Sequence, residues 1–438
     1  MWNTAEKDDH RMSWRMLGWL LLTQIAVAFA GRSLAPLGPR IAEDLHLTMA
    51  QVGTLTAAVF LGQSLTSLPS GYLADRLGSR RVLAALTLLL GSSFALASFM
   101  NRYAWIVALA AIGGLGYGAM HPTSNRGILY WFPLERRGTA MGLKQMGVTA
   151  GSALAVLILF PLALRAGWRA ALLVAALSVL GTGLLAAWHY RDPEEKRDPE
   201  EKRPDGRRKR ADEAPFAWSA VSALFRRRTL WGISLAAFAL TGAQMSLTAY
   251  VVFYGQERMG YPSYAAGLLL FLSEVGGSVG RVAWGFISDR VFRGDRWGVL
   301  LFIAASTFAL NAVMALLPAS TPYLVTAAVV GLLGLTVVGF NGLWMVAAAE
   351  SVPREQAGLA SGLSLSVGSL GVVFVPPVFG SIIDRTGSYG WAWGFLAAGA
   401  LVAGAWLVYA ANAQAHEKEE DTEEVHESGA SASPQIRR

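Results

Sequence analysis

Six ionisable side chains interrupt the long apolar stretches of this 438-residue sequence: Arg32, His121, Arg126, Lys144, Glu274 and Arg281. A charge in the hydrocarbon core of a bilayer costs roughly 3 kcal/mol or more on insertion scales, so each must face a partner or a cavity. Four are cations and one is an anion, which makes a shared cavity cationic and suits it to an anion. Arginine adds a planar fork that fits a carboxylate with two hydrogen bonds. Glu274 and Arg281, seven residues apart, share a helix face. Glu274 is thus either a proton carrier or a plain counter-charge to Arg281. His121, beside Pro122, is either a second proton site or a hydrogen-bonded helix residue.

Depth follows from ~1.5 Å per helical residue. Arg126 lies six residues before the end of the fourth apolar run, and Lys144 six after the start of the fifth. They are expected at one level, ~9 Å from one membrane face. Arg281 falls near that level and Arg32 nearer the opposite face. An anion held between the lower cluster and Arg32 fits this spacing. The alternative pairs Arg126, Lys144 and Arg281 with surface acids such as Glu135 and Glu350.

The elements that hold these charges are membrane helices. The chain is 53% hydrophobic and only 15% charged, with a mean hydropathy of +0.40; a soluble chain carries nearer a quarter charged residues. Many apolar runs reach the ~20 residues that cross a bilayer. Forty-seven glycines and fifteen tryptophans fit helix packing and interfacial belts. Twelve crossings are expected, the first from about Met16, too long for a signal-peptide core. Of the 37 Lys and Arg, 27 fall in loops and tails on the face holding both termini, six on the opposite face and four within crossings. The positive-inside rule therefore places both termini in the cytoplasm. The net charge of +7 belongs to these loops and not to a nucleic-acid surface. With no cysteine, no G-x-x-x-x-G-K-[ST] and no catalytic constellation, thiol chemistry, ATP drive and an enzyme are not expected, nor is a metal or cofactor.

Domains are read as a cytoplasmic N-terminus (1–15), a six-helix bundle (16–188), a largely disordered linker (189–228), a second six-helix bundle (229–411) and a disordered tail (412–438). The linker holds RDPEEK twice in tandem, at 191–196 and 197–202, and cannot bury enough surface to offset its ordering entropy. The halves are copies. Gly71 and Asp75 recur as Gly285 and Asp289, an offset of 214, while Pro133, Glu135, Gly138, Gly142, Arg165 and Gly167 recur at 220 as Pro353, Glu355, Gly358, Gly362, Arg385 and Gly387. Parallel duplicated halves fit a carrier that rocks about a midplane site.

The hinge GYLADRLGSRRVL (71–83) resembles the signature between the second and third helices of major facilitator superfamily transporters. The resemblance implies an all-α integral membrane fold of twelve transmembrane helices in two six-helix pseudo-symmetric halves. It also implies a gating role for Gly71, Asp75, Arg76, Gly78, Arg80 and Arg81, and for Asp289 and Arg290 in a second copy where Phe292 replaces the glycine. FAGRSLAPLGPRI (29–41) and HPTSNRGILYWFP (121–133) are similar to the anion:cation symporter branch, with Arg32 and Arg126 at its arginines; Gly31 stands where that branch commonly has an acid. GRVAWGFISDR (280–290) resembles monocarboxylate and oxalate:formate carriers, with Arg281 at their carboxylate-binding arginine. Gln244, Tyr250, Asn341 and Trp344 fall mid-helix in segments that line the cavity of this fold, and each could equally be a helix–helix contact. The expectation is a secondary transporter of a small organic anion, a carboxylate, in the plasma membrane, working as a monomer with a proton as coupling candidate. A drug or cationic-compound exporter of the same fold is the alternative, and a non-transporting sensor comes third.

Overall fold

Proline and glycine decide where the apolar runs divide. The first crossing is two helices, α1 (Thr4–Gly31) and α2 (Leu34–Leu45). A continuous helix would set the Pro36 ring against the carbonyl of Arg32, four residues back, so the chain opens at Arg32 and Ser33. In the computed structural model, which describes residues 4–192, 224–225, 227–352 and 357–431, the first half continues with α3 (Met49–Leu77), α4 (Ser79–Ala97), α5 (Tyr103–Trp131), α6 (Leu134–Leu154) and α7 (Phe160–His189). The second half comprises α8 (Arg228–Phe253), α9 (Ser263–Arg290), α10 (Arg296–Leu316), α11 (Tyr323–Leu333), α12 (Asn341–Glu350), α13 (Ala357–Thr386) and α14 (Tyr389–Ser431). Wider π-helical turns at Ala155–Leu159, Tyr254–Arg258 and Gly334–Val338 extend or join these rods.

Among the described residues, ten stretches are long and apolar enough to cross a membrane. One of them, Leu143–His189, makes two crossings, because Gly167 at φ 84° turns the chain back. The 29-residue α3, ~43 Å long at ~1.5 Å per residue, is the twelfth. Gly387, the repeat partner of Gly167, makes the matching turn at φ 65°. The duplication read from sequence is thus a duplication of backbone geometry. At the second hinge, where Phe292 occupies the glycine position, the positive φ moves to Arg293 (54°) and Gly294 (90°). Linker residues 193–223 and 226 lie outside the described residues. Past 412, where a disordered tail is expected, α14 stays helical to Ser431; Ala, Gln, Glu and Lys, all strong helix formers, dominate its continuation.

Helices α3 and α5 approach closely enough that Gly114 meets the Val59 carbonyl and Gly118 the Gln63 backbone with no room for a Cβ. α3 also packs on α13, across the halves. On the face opposite the N-terminus the two halves share one apolar core: Ala35, Val52, Val156 and Phe160 of the first pack with Tyr250, Phe379 and Trp393 of the second. Nearer the terminal face the second half has a core of its own around Trp284, Phe340 and Trp344.

Hydrogen bonds follow the same division. Asp384, at the end of α13, accepts from the Met49 and Ala50 amides at 2.8 and 2.9 Å, capping α3 from the other half. The Tyr250 hydroxyl lies 2.7 Å from the Met49 carbonyl and 2.9 Å from that of Pro376. Arg32 and Glu274 make a further polar link between the halves. The Asp384 and Tyr250 contacts and the shared apolar core close the bundle on the far face. Asp384→Ala should remove a cap worth about 1 kcal/mol and so raise the far-face-open population about fivefold. Spin labels at His46→Cys and Thr386→Cys, in a chain with no native cysteine, would report it as a broadened distance distribution; an unchanged distribution would refute the latch.

Candidate functional site

Helix α5 organises the site. Tyr117, His121 and Asn125 recur every four residues and so line one face of it. Each anchors a cation or its neighbourhood. Arg32, at the break between α1 and α2, donates from Nε to the Tyr117 hydroxyl at 3.5 Å and lies over the Phe60 ring at 5.9 Å. Lys144 of α6, 1% exposed, donates to Asn125 Oδ1 at 3.0 Å and sits 3.3 Å from His121 Nδ1. An ammonium only donates, so His121 Nδ1 accepts and the ring proton belongs on Nε2.

The second half supplies α9. Glu274, 2% exposed, is 3.6 Å from Arg32 across the halves, and its other oxygen is buried without a partner. Arg281, seven residues on, donates from Nε to the Val338 carbonyl at 3.4 Å. That carbonyl also accepts from Asn341 Nδ2, which bonds Gln244 Oε1 at 3.0 Å, so Gln244 and Asn341 border Arg281. Arg32, Glu274 and Tyr117 are the charged and polar neighbours of Arg281, while Lys144, Arg281 and Arg32 all face His121. Three cations and one acid therefore converge, with a formal charge of +2. A narrow cleft lined by Arg32, Thr56, Phe60, Met245 and Thr248 adjoins Arg32. Among the described residues no group of His, Asp and Glu could hold a metal.

Gly31 has a specific reason to be glycine. A Cβ there would overlap the Tyr117 ring. The acid expected before Arg32 is thereby excluded, and the carboxylate beside that arginine comes instead from α9.

Three predicted residues stand apart. Arg126 shares the level of Lys144 but not the α5 face that meets it: it lies 3.8 Å from Asp192 and over the Tyr130 ring at 4.7 Å. Five residues beyond His121 it is ~7.5 Å lower and turned by about 140°, so it leaves the face that carries the cluster. Tyr250 belongs to the far-face closure. Trp344 donates to Ser364 Oγ at 2.8 Å and stacks on Phe340, a contact between α12 and α13. Glu350, an alternative partner for Arg281, instead accepts from Arg296 at 3.3 Å.

At the first hinge, the α4 N-cap is Gly78, which has no side chain to offer. Asp192 fills that role from beyond α7, accepting from the Ser79 amide at 2.8 Å and the Arg80 amide at 3.2 Å. Arg80 bonds the Ala187 carbonyl at 2.5 Å, Arg76 stacks on Tyr72, and Arg81 is exposed. The side-chain surroundings of Gly71, Asp75 and Glu135 lie outside the described residues. In the second hinge Asp289 binds Arg296 at 2.5 Å and Arg290 lies over Phe286, so α9, α10 and α12 are tied there.

The model of the Major Facilitator Superfamily matches residues 20–376 and 292–437. The chain belongs to the major facilitator superfamily. It is 28% identical over 389 residues to a probable sulfoacetate transporter, SauU, of Cupriavidus necator, covering 83% of this chain and 86% of the relative. It is 26% identical over 374 residues to a probable L-galactonate transporter of Escherichia coli, covering 82% and 80%. A bacterial homologue of the human lysosomal transporter Spinster, crystallised inward-facing and unoccupied, superposes with a TM-score of 0.71 over 92% of this chain and 96% of that one, at 18% identity. This facilitator is a multi-pass membrane transporter and not an enzyme.

The packing of Tyr117 on Gly31 makes a prediction. Gly31→Ala should cost about 1–3 kcal/mol through overpacking, read as a lower melting temperature in detergent. Tyr117→Ala in the same chain should restore most of it. A Gly31→Ala protein as stable as wild type would contradict the contact.

Proposed function

We propose that the protein is a secondary transporter of small organic anions, carboxylates among them, that works by alternating access. The observation that carries this reading is the gathering of three cations from both halves, half-buried Arg32 and buried Lys144 from the first and half-buried Arg281 from the second, with Glu274 as the acid paired to Arg32. A site of formal charge +2 attracts anions and repels the cationic compounds that an exporter would bind. The named cargoes of the two relatives, sulfoacetate and L-galactonate, are organic anions too. By the positive-inside rule the termini are cytoplasmic, and the far face, closed by Asp384 and Tyr250, is then the outer one. The carrier works as a monomer in the plasma membrane.

Glu274 is the coupling residue of this reading. Its carboxylate lies 3.6 Å from Arg32. A proton on Glu274 frees Arg32 for a substrate anion, so proton and anion favour each other's binding, as linkage requires of a symporter. His121, already accepting from Lys144, is the weaker candidate.

Arg32→Ala and Arg281→Ala should each lower uptake of labelled carboxylates into proteoliposomes at least ~30-fold, the equivalent of about 2 kcal/mol for one lost partner in a buried charged contact. Glu274→Gln should abolish the response of uptake to an imposed pH gradient while leaving exchange measurable. Undiminished uptake in both arginine variants would overturn the site. Binding without carriage in wild type would favour a sensor.

A further inference from the structure

Lys144 is a buried charge paired with no acid among the described residues. Its ammonium is 1% exposed, its partners are the neutral His121 and Asn125, and among the described residues no carboxylate lies within ion-pairing distance of it. Arg32, by contrast, already has Glu274. A buried ammonium without an opposite charge is costly, and it is kept where an anion comes to meet it.

The anchors of the two first-half cations are also separated along α5. Arg32 is held at Tyr117, while Lys144 is held at His121 and Asn125, one to two turns on, or ~6–12 Å along the helix axis. Arg281 lies between the two ends, with Arg32, Glu274 and Tyr117 among its neighbours and His121 also near it. The cluster thus has two poles: an arginine pole shared by the halves and a lysine pole built from α5 and α6. One carboxylate answers one pole and leaves a net positive charge in a low dielectric, where an unbalanced charge is felt most strongly.

We infer that the substrate is a dianion, a short chain with an acidic group at each end, one bound by Arg32 and Arg281 and the other by Lys144. This rests on the organic-anion reading above and narrows it: once a proton on Glu274 has released Arg32, the three cations stand at a formal +3, and two acidic groups offset twice the charge that one does. Lys144 is then the residue that sets the preference for two acids over one. Its ammonium, pinned on α5, offers its remaining N–H to the second acid.

The test compares each diacid with its half-amide, which keeps length and hydrogen bonding but removes one charge. Malonate, succinate and glutarate would be set against malonamate, succinamate and glutaramate as competitors in proteoliposome counterflow at pH 7.5. In parallel, each would be tested as a stabiliser of the purified protein in a thermal-shift assay. In wild type the best diacid should outcompete its half-amide at least tenfold. In Lys144→Met that ratio should fall to within about twofold, whereas Lys144→Arg, which keeps the charge, should retain most of it. Lys144→Met removes a buried charge that has no acidic partner, so the variant should fold, and its melting temperature checks this. Half-amides that compete as well as diacids in wild type would overturn the dianion and leave the anion reading intact. Failure of every acid and half-amide would overturn both. A diacid preference that survives Lys144→Met would remove Lys144 from the second pole and overturn the assignment.

Discussion

A charge placed in hydrocarbon must be met by another charge, a dipole or a cavity, and most of the polar architecture follows from that requirement. Arg32 is met by Glu274 from the opposite half, by the Tyr117 hydroxyl and by the Phe60 ring. Arg281 is met by a carbonyl exposed where the π-helical turn at Gly334–Val338 disturbs the usual ladder. Lys144 is met by dipoles alone. The helices are arranged so that these groups arrive at one place from α1, α5, α6 and α9, and each break in a helix near them has a local cause. Pro36 opens the chain beside Arg32, and the wide turn releases the Val338 oxygen.

The same economy appears at the ends of the helices. The first amides of any helix lack internal partners. Two helices here are served by distant carboxylates: α3 by Asp384 across the halves, and α4 by Asp192 within its own half. A helix N-terminus carries partial positive charge, so an acid there gains from the dipole as well as the hydrogen bonds. When the acid belongs to the other half, that gain exists only while the face is closed. Asp384 therefore contributes only while the far face is closed, whereas Asp192 and its partners all belong to the first half.

Much of this was legible in the sequence because membranes restrict what a chain can do. Length, hydropathy and the duplicated punctuation specify twelve crossings in two copies, and the positive φ at both Gly167 and Gly387 carries the repeat into the backbone. Within-helix charges pointed to Arg32, Lys144, Glu274 and Arg281. What failed was direction around a helix. Depth along the axis put Arg126 with Lys144, but rotation puts it with Asp192 at the rim. The four-residue spacing of Tyr117, His121 and Asn125 was the available signal for the α5 face, hidden because only His121 looks ionisable at neutral pH. Asp192 and Asp384 could not be found this way. Their partners are backbone amides 113 and 335 residues away in sequence, and no local pattern encodes such a contact.

One consequence concerns how the halves can move. The Arg32–Glu274 pair joins them near the centre of the bundle, while the apolar core and the Asp384 cap join them on the far face. Opening the far face breaks the cap and separates Tyr250 from Met49, whereas the Arg32–Glu274 pair is not part of that closure. An anion that takes the place of Glu274 on Arg32 while also engaging Arg281 would bridge α1 and α9 as the pair does in the empty protein. The bridge between halves is then present with and without cargo, and only its chemistry changes. A carrier built this way can reorient empty, held by Glu274, or loaded, held by substrate. It is penalised in between, when Glu274 is protonated and no anion has arrived, because three cations then face one another with nothing to balance them. That intermediate is the one a coupled carrier must avoid crossing with.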